Sequence, residues 1–303
     1  MSDIKTLIDR VYRTYLEPPD FQPAATRLLS PLGDTPAATS VPLDTFEVPE
    51  DINLLRQGSI IEIGSELMRL VSWNDQTKVA TVDRAVEGTA IASHDDNARV
   101  KLAPPYPRHS VFEAVRDNIV GLYPKLWTTT VEVISSVGPG VFPVTDPLIV
   151  EMIEANPEYG RNGWMRDFDG SISEYKLEAG GRAFVTTTWQ AGTIVGRFRK
   201  RFGVATSEED TYAELGLEAV WEPVVVVGAA ADILSGREIP ATHADWVGQS
   251  MEAESVPVSS RLSIAVRMQQ YRQFLIDRFS TEMKGEDSNK VRVTMNNPFS
   301  RVG

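Results

Sequence analysis

The segment Gly58–Leu102 reads GSIIEIGSELMRLVSWNDQTKVATVDRAVEGTAIASHDDNARVKL, and its pattern predicts the fold of this part of the chain. It contains four short runs of strand-forming residues, SIIEI, ELMRLVSW, KVATVDRA and ARVKL. Gly64, the turn Asn74–Gln76 and the loop Glu87–Asn97 separate these runs. Four or five short strands in one compact segment are typical of a small barrel or sandwich. The sequence therefore predicts a small β module here.

A helix and a proline-rich connection precede this module. Apolar residues recur with helical spacing through Asp3–Leu16. Pro18-Pro19 ends the pattern, because proline cannot donate a backbone hydrogen bond and disfavours helix before it. Five further prolines lie within Phe21–Asn53, and this density predicts extended connections and short edge strands.

A second helix is predicted directly after the module, over Ser110–Tyr123. We expect Ser110 to be its N-cap, with Glu113 completing a capping box. Its buried face would carry Val111, Val115, Ile119 and Leu122.

The region Thr128–Ala205 has the pattern of an antiparallel β sandwich. Runs such as TTTVEVISSV, LIVEMI and TIVGRFRKRFGV are punctuated by glycine and proline. Turn signals recur about every ten residues, which is the spacing found in antiparallel sandwiches.

The C-terminal third is predicted to be helical. Ser207–Leu215 begins with three acidic residues, which suit the first turn of a helix. Val224–Leu234 is ambiguous, because its four consecutive valines favour a strand whereas Pro223 and the alanines favour a helix. We interpret it as a buried helix.

Val258–Lys284 is the longest helical pattern, and Gly285 is expected to stop it. Its apolar stripe would consist of Ile264, Met268, Tyr271, Leu275, Phe279 and Met283.

These predictions combine into an α+β fold. A helical scaffold formed by both chain ends would carry an inserted small β barrel or sandwich module and an antiparallel β sandwich. The predicted divisions are 1–20 (N-terminal scaffold helix), 21–107 (β module), 108–127 (scaffold helix), 128–206 (β sandwich), 207–284 (C-terminal helical scaffold) and 285–303 (docking tail).

Composition narrows the class of function. The 303 residues carry a net charge of −12, which argues against a general coating of nucleic acid by the outer surface. The chain has no cysteine, and its three histidines, His94, His109 and His243, are well separated, so a histidine-rich metal site is not expected. No apolar run approaches the length that spans a bilayer. We expect no cofactor and no membrane segment.

Catalytic patterns are weak. The carboxylates beside predicted sandwich strands are Glu151, Glu154, Asp167 and Asp169. A glycosidase needs two carboxylates facing each other across a cleft, and an acidic chain has many such pairs without catalysis. We therefore predict that the chain is not an enzyme, with a carbohydrate-active β-sandwich enzyme as an alternative. His94, beside Asp95 and Asp96, is interpreted as a residue that fixes a loop by hydrogen bonding.

One basic segment stands out, Gly196–Gly203 (GRFRKRFG). As a strand it would place Arg197, Arg199 and Arg201 on one face, and Phe198, Lys200 and Phe202 on the other. One interpretation is an arginine ladder that contacts phosphate or, preferably in view of the negative net charge, an acidic neighbouring chain. The other is a solvated sheet face above buried phenylalanines.

The tail Gly285–Gly303 is too polar to form a core of its own. Val291, Val293 and Met295 alternate with polar residues, which is a strand period. Such a segment could add to the sheet edge of another chain or lie in a groove. The candidate interface residues are therefore Arg197, Arg199, Arg201, Val291, Val293, Met295 and Phe299.

Two runs within Gly58–Leu102 follow a recurring pattern: G…IEI-(G/D)-x-E-L-M-x-V, then T-V-x-R-x-x-x-G-T-x-A-x-x-H before a closing strand. The matching residues are Glu62, Ile63, Glu66, Leu67, Met68, Val71, Thr81, Val82, Arg84, Gly88, Thr89 and His94. With these residues the module resembles one that is common in structural proteins of tailed bacteriophages. Ala85 and Asn97 stand where glycine is usual, and both departures fall in turns.

The flanking segments resemble those of phage head-to-tail connectors, the adaptor subunits that form a ring beneath the portal. They are the helical segment LIDRVYRTYL near the N-terminus and the later segments GAAADILSGRE and RMQQYRQFLIDRF. The resemblance implies a homo-oligomeric ring, most often of twelve copies, whose helical scaffold lines or surrounds the channel for double-stranded DNA, which passes without sequence-specific binding.

The same resemblance implies a place in the virion, assembled in the cytoplasm of a bacterial host. The implied partners are the portal protein and a tail-side connector or terminator protein, with the terminal tail docking on a neighbouring ring. Because the short β module also occurs in other virion proteins, a different tail, baseplate or decoration protein is the alternative.

Overall fold

A computed structural model describes residues 3–17, 23–46, 48–138, 141–157, 176–177, 183–185, 193–235 and 263–289. The chain divides into two compact units, residues 1–119 with 204–270, and residues 120–203 with 271–303. Helices and antiparallel sheets together make up the fold, which confirms the α+β class predicted from the sequence.

In the first unit, six short strands form one antiparallel sheet with the order β1-β6-β3-β4-β5-β2. The strands are β1 (Ala25–Arg27), β2 (Ser40–Pro42), β3 (Ile60–Ile63), β4 (Glu66–Asn74), β5 (Val79–Asp83) and β6 (Arg99–Leu102). The sheet curls so that its outer strands meet: the Leu29 N–H donates to the Pro42 carbonyl at 3.0 Å, and the Asp44 N–H donates to the Arg27 carbonyl at 2.8 Å. The predicted small β module is confirmed, and its outer strands come from the proline-rich segment.

The concave side of this sheet holds one apolar core. Alternate residues of β5 and β6 point inward, as the period of two requires, and Met68 and Leu70 of β4 join them. The core consists of Leu28, Leu32, Val41, Leu43, Leu55, Ile61, Ile63, Met68, Leu70, Ala80, Val82, Val100 and Leu102. Its burial stabilises the module by about 25 cal/mol for each Å² of apolar surface removed from water.

Two helices of the first unit follow the sequence predictions closely. Helix α1 (Ile4–Val11) begins at the N-cap Asp3, whose carboxylate accepts the Thr6 N–H at 2.8 Å, and it continues as a π-helical turn over Tyr12–Leu16. Helix α4 (Glu222–Leu234) packs against α1 and is buried on nearly every side. The interpretation of the valine-rich segment as a buried helix is confirmed, because a helix that is apolar all round must be surrounded by protein.

Helix α2 (Arg108–Val120) begins two residues earlier than predicted. Ser110 lies inside the helix, so the predicted capping box was wrong. The first N–H is instead accepted by the Glu62 carboxylate of β3, with 2.7 Å between Arg108 N and Glu62 Oε2. The first N–H of the helix is therefore accepted by a carboxylate that is distant in sequence, and not by the side chain of a neighbouring capping residue.

The helix predicted over Ser207–Leu215 is also shorter than expected. Helix α3 (Tyr212–Leu215) begins at Thr211, which forms a reciprocal capping box with Glu214. Upstream, the Asp210 carboxylate accepts the backbone N–H groups three and four residues before it, at 3.1 and 2.7 Å. These side-chain bonds compete with helix formation and hold a turn, so the acidic residues do not lie in a first helical turn.

Helix α5 (Ser263–Asn289) contains all six residues of the predicted stripe, of which Ile264, Met268 and Leu275 are buried. Its buried apolar residues also include Ile276, whereas Tyr271 is exposed. The helix continues through Gly285, where a stop was predicted, because glycine permits a left-handed stop without requiring one. Residues 258–262 lie outside the described part of the chain.

The described residues of the second unit form two antiparallel sheets of three strands each, with the orders β10-β11-β8 and β7-β12-β9. The strands are β7 (Thr128–Ser135), β8 (Val141–Pro143), β9 (Ile149–Pro157), β10 (Lys176–Leu177), β11 (Ala183–Val185) and β12 (Thr193–Lys200). The antiparallel pairing is confirmed, while the face-to-face packing of a sandwich stays a prediction.

Position 196 of β12 must be glycine, because the ring of Phe198 on the same strand leaves no room for a Cβ atom. Phe198 is fully buried, and a Cβ atom added at Gly196 would fall on its ring. Glycine in a strand often marks such a close approach. The pair therefore fixes where the aromatic ring lies in the second unit.

Replacing Gly196 with alanine is expected to lower the free energy of unfolding by about 1–3 kcal/mol, because a buried ring without free space must leave its rotamer. Chemical denaturation followed by circular dichroism measures the change. Gly138→Ala is the control in the same unit, since nothing lies within 4 Å of the added Cβ there. Equal stability of the two variants would contradict the steric account.

Candidate functional site

A buried ion cluster lies at the start of β4, around Glu66. The side chains of Glu66, Arg84 and His94 are 0%, 2% and 7% exposed. Glu66 Oε1 accepts the Arg84 Nε–H at 2.9 Å, and Oε2 accepts Arg84 Nη2 at 2.6 Å and the Ala92 N–H at 3.1 Å. His94 Nε2 lies 2.9 Å from Oε2. The carboxylate is thus surrounded by hydrogen-bonding partners on both oxygens.

The surroundings of Glu66 keep it ionised. Burial raises the pKa of this carboxyl group, but the hydrogen bonds from Arg84, Ala92 and His94 outweigh burial and hold the pKa below its ordinary value of 4.5. A buried carboxylate needs such partners, because an uncompensated charge in the interior is costly. This arrangement holds the loop between β5 and β6 against the start of β4.

A nearby threonine fixes the same loop by its hydroxyl group. Thr89 Oγ1 donates to the Val86 carbonyl at 2.9 Å and accepts the Leu67 N–H at 3.2 Å. The backbone of His94 forms a β-bridge with Leu32, through hydrogen bonds of 2.8 and 2.9 Å. The interpretation of His94 as a residue that fixes a loop is confirmed, with Glu66 as its side-chain partner. The sequence alone pointed to His94 but not to this partner.

A second cluster, the Arg108 junction, connects the β module with the helical part of the first unit. The Arg108 guanidinium donates to Glu208 through Nε at 2.9 Å and Nη2 at 2.8 Å, and to Asp9 through Nη1 at 2.8 Å. Glu62, which caps α2, also lies 3.1 Å from Lys101 Nζ. Helix α1, strands β3 and β6, the start of α2 and the segment before α3 therefore meet in one ionic network.

Burial and neighbouring charges shift the pKa values of Arg108 and of the adjacent Tyr12. Burial lowers the pKa of the Arg108 guanidinium, but its hydrogen bonds to Glu208 and Asp9 raise it above its ordinary value. Burial and, after it, the Glu62 charge raise the pKa of Tyr12, whose hydroxyl donates to the Tyr106 carbonyl at 2.7 Å. Sequence reasoning missed the junction, because its partners are about a hundred positions apart and no local spacing marks them.

The predicted arginine ladder lies on strand β12 of the second unit. Arg197 and Arg199 are within the strand, whereas Arg201 follows its end and donates its N–H to the Leu148 carbonyl at 3.0 Å. Phe198 and Phe202 are buried, as the alternation predicted. The ladder is therefore formed in the strand by two arginines rather than three.

Arg199 is bound by residues of its own chain. Its Nη1 lies 2.7 Å from Glu151 Oε2, and its guanidinium lies 4.3 Å from the centroid of the buried Trp127 ring. A cation over an indole face contributes roughly 0.5–2 kcal/mol. Arg199 therefore stabilises the sheet itself, and a substitution there affects folding as well as any interface.

The same sheet face carries exposed valines on β7. Val131 and Val133 are 65% and 60% exposed, and the β-ladder sets them opposite Arg197 and Val195 of β12. Side chains at alternate positions of adjacent strands share one face. The face thus combines an exposed apolar stripe with arginine, a residue that is enriched at protein–protein interfaces.

The remaining predicted interface residues, Val291, Val293, Met295 and Phe299, lie outside the described residues. Of the candidate carboxylates, Asp167 and Asp169 also lie outside, and Glu151 is paired with Arg199.

Within the described ranges, no three acidic or histidine side chains group closely enough to hold a metal ion. None of the helices that the structure describes combines the length and apolar character needed to cross a membrane.

No protein-family model matches the chain, and a comparison with curated proteins finds no match.

Proposed function

We propose that this chain is a structural subunit of a tailed-phage virion, a head-to-tail adaptor that forms a ring beneath the portal and conducts the DNA genome. The Glu66 cluster is the observation that carries the proposal. Four of the residues on which the phage resemblance rests, Glu66, Arg84, Thr89 and His94, act together to fix one loop of the β module. These four residues of the shared sequence pattern therefore form one connected structural unit.

Exposed apolar surface supports an assembly role. Besides Val131 and Val133, helix α5 exposes Phe274 at 60% and Tyr271 at 38%, with ring centroids 6.4 Å apart. Exposed apolar groups of this kind mark protein contacts when they lie side by side. The Arg108 junction adds a rigid connection within the first unit, which suits a protein that transmits force. The net charge of −12 suits DNA that passes without being held.

Imaging of the purified chain tests this proposal. We expect ring particles with an axial lumen and about twelve copies of the 33.5 kDa chain, seen by electron microscopy and by native mass measurement. Addition of a portal ring should give stacked particles. A chain that stays monomeric at all concentrations, and with the portal present, would refute the adaptor role.

The β module by itself favours a second candidate, another tail, baseplate or decoration protein of the virion. Its curled sheet has its own apolar core, so the module can serve in several structural proteins. Closed particles of a symmetry other than twelve, which bind a tail or capsid component but not the portal, would favour this candidate.

A further inference from the structure

Strand β7 lies at the edge of its sheet in the part of the chain that the structure describes. Among the described residues it pairs with β12 alone, so the backbone groups of its other edge face away from the sheet. Exposed edges are commonly blunted by proline, by lysine or by inward-pointing charges, and the sequence TTTVEVIS of β7 contains no proline or lysine and one half-buried charge, Glu132. Together with the exposed Val131 and Val133, this edge has the features of a site for strand addition.

The geometry of β7 specifies the strand that would fit. Residues beside Val131 and Val133 should be apolar, because adjacent strands extend each other's faces. The intervening residues share the opposite face, which is partly buried and carries Glu132 between Thr130 and Ile134, so a basic side chain is favoured beside the Glu132 carboxylate. The required pattern is therefore apolar and basic or polar in strict alternation.

The C-terminal segment Lys290–Met295, KVRVTM, has this pattern. Val291, Val293 and Met295 alternate with Lys290, Arg292 and Thr294. Asn296-Asn297-Pro298 follows, and these residues end a strand. The last fourteen residues, 290–303, contain three basic residues and no acidic one, in a chain whose net charge is −12. Charge and period both complement the β7 edge.

We propose that residues 290–295 of a neighbouring copy add to β7 as a fourth strand, giving the sheet order tail-β7-β12-β9. The proposal rests on the proposed function, since it requires copies that lie side by side. The six residues 290–295 directly follow α5, which ends at Asn289, and when extended they reach roughly 20–22 Å toward an adjacent copy. Each copy would then both donate a tail and accept one, a head-to-tail contact of the kind that closes rings.

Crosslinking between two variants tests the proposal, because the natural chain has no cysteine. Val133→Cys and Val293→Cys are prepared separately, mixed under ring-forming conditions and treated with a short bis-maleimide. We expect a covalent dimer in the mixture at several times the yield of either variant alone. Val220→Cys, an exposed valine of the first unit, replaces Val133→Cys in the matched control and should give no such dimer.

Several outcomes would overturn the proposal. They are rings without the specific crosslink, equal crosslinking through Val220→Cys, a dominant Val133–Val133 product that places two β7 edges together, and a crosslink that forms only within a doubly substituted chain. Electron microscopy of the same samples separates this failure from failure of the proposed function. Rings without the crosslink refute tail addition alone, whereas the crosslink without rings refutes the adaptor ring alone.

Discussion

Replacement of Glu66 with alanine is expected to cost about 3–5 kcal/mol in the free energy of unfolding, because it leaves the Arg84 guanidinium buried without a carboxylate. The Arg84 side chain is 2% exposed and cannot turn into water without opening the loop. Hydrogen exchange should rise first in residues 84–98, and chemical denaturation should show the loss of stability. This is the largest effect expected from a single side chain.

Two further variants test whether the unpaired buried charge causes this loss of stability. Glu50→Ala removes an exposed carboxylate of the same module and should change stability by less than about 0.5 kcal/mol. Combining Glu66→Met with Arg84→Met removes both charges and should recover part of the loss, because a buried ion pair exchanged for apolar groups is often neutral, while the Ala92 N–H and His94 still lose their acceptor. A double variant as unstable as Glu66→Ala would contradict the ionic explanation.

Acid should weaken the same cluster. Since the folded-state pKa of Glu66 is held below its ordinary value of 4.5, the carboxylate's contribution is fully present above that value. The contribution is lost as pH falls through the folded-state pKa. Glu66→Gln cannot titrate, so its stability should depend less on pH below about 4.5 than that of the natural chain.

Replacement of Arg108 with methionine is expected to cost about 2–4 kcal/mol, because Glu208 and Asp9 lose their shared donor and Glu208, only 18% exposed, stays in place with its charge. Helix α1 should open first, since Asp9 belongs to it. Faster hydrogen exchange in Ile4–Val11, with little change in the strands of the β module, is the expected signature.

Arg108→Lys tests the geometry of the junction. Lysine keeps the charge but cannot offer the planar guanidinium donors that reach Glu208 and Asp9 together, so about half of the loss should remain. Arg13→Met is the control, because it removes an exposed arginine beside α1. If Arg13→Met and Arg108→Met destabilise equally, the junction has no special role.

Much of the fold could be predicted from local patterns. The runs that became β3, β4, β5 and β6 have the period and turn residues of strands, and Val224–Leu234 is too apolar to be anything but buried. Helix starts were less predictable. Ser110 has every local feature of an N-cap, yet α2 begins at Arg108, because Glu62 of a different element accepts the first N–H.

The candidate site was also predicted only in part from local patterns. The alternation in GRFRKRFG correctly predicted two buried phenylalanines beneath an arginine strand. It could not reveal that Arg199 lies on Trp127 and pairs with Glu151, since sequence periodicity gives a side chain's face but not its neighbours across the sheet.

By itself, the sequence determined the class of fold, the burial of Val224–Leu234, the strand period of the module and the residues that carry the phage resemblance. Those properties follow from short-range rules, since helical and strand periods and proline positions act over a few residues. Only the tertiary structure decided that Glu66, Arg84 and His94 form one buried cluster, that Arg108 joins α1 to the segment before α3, and that β7 pairs, among the described residues, with β12 alone. Each of these depends on which distant segments meet, and hydrogen bonds between residues about a hundred positions apart leave no local trace in the chain.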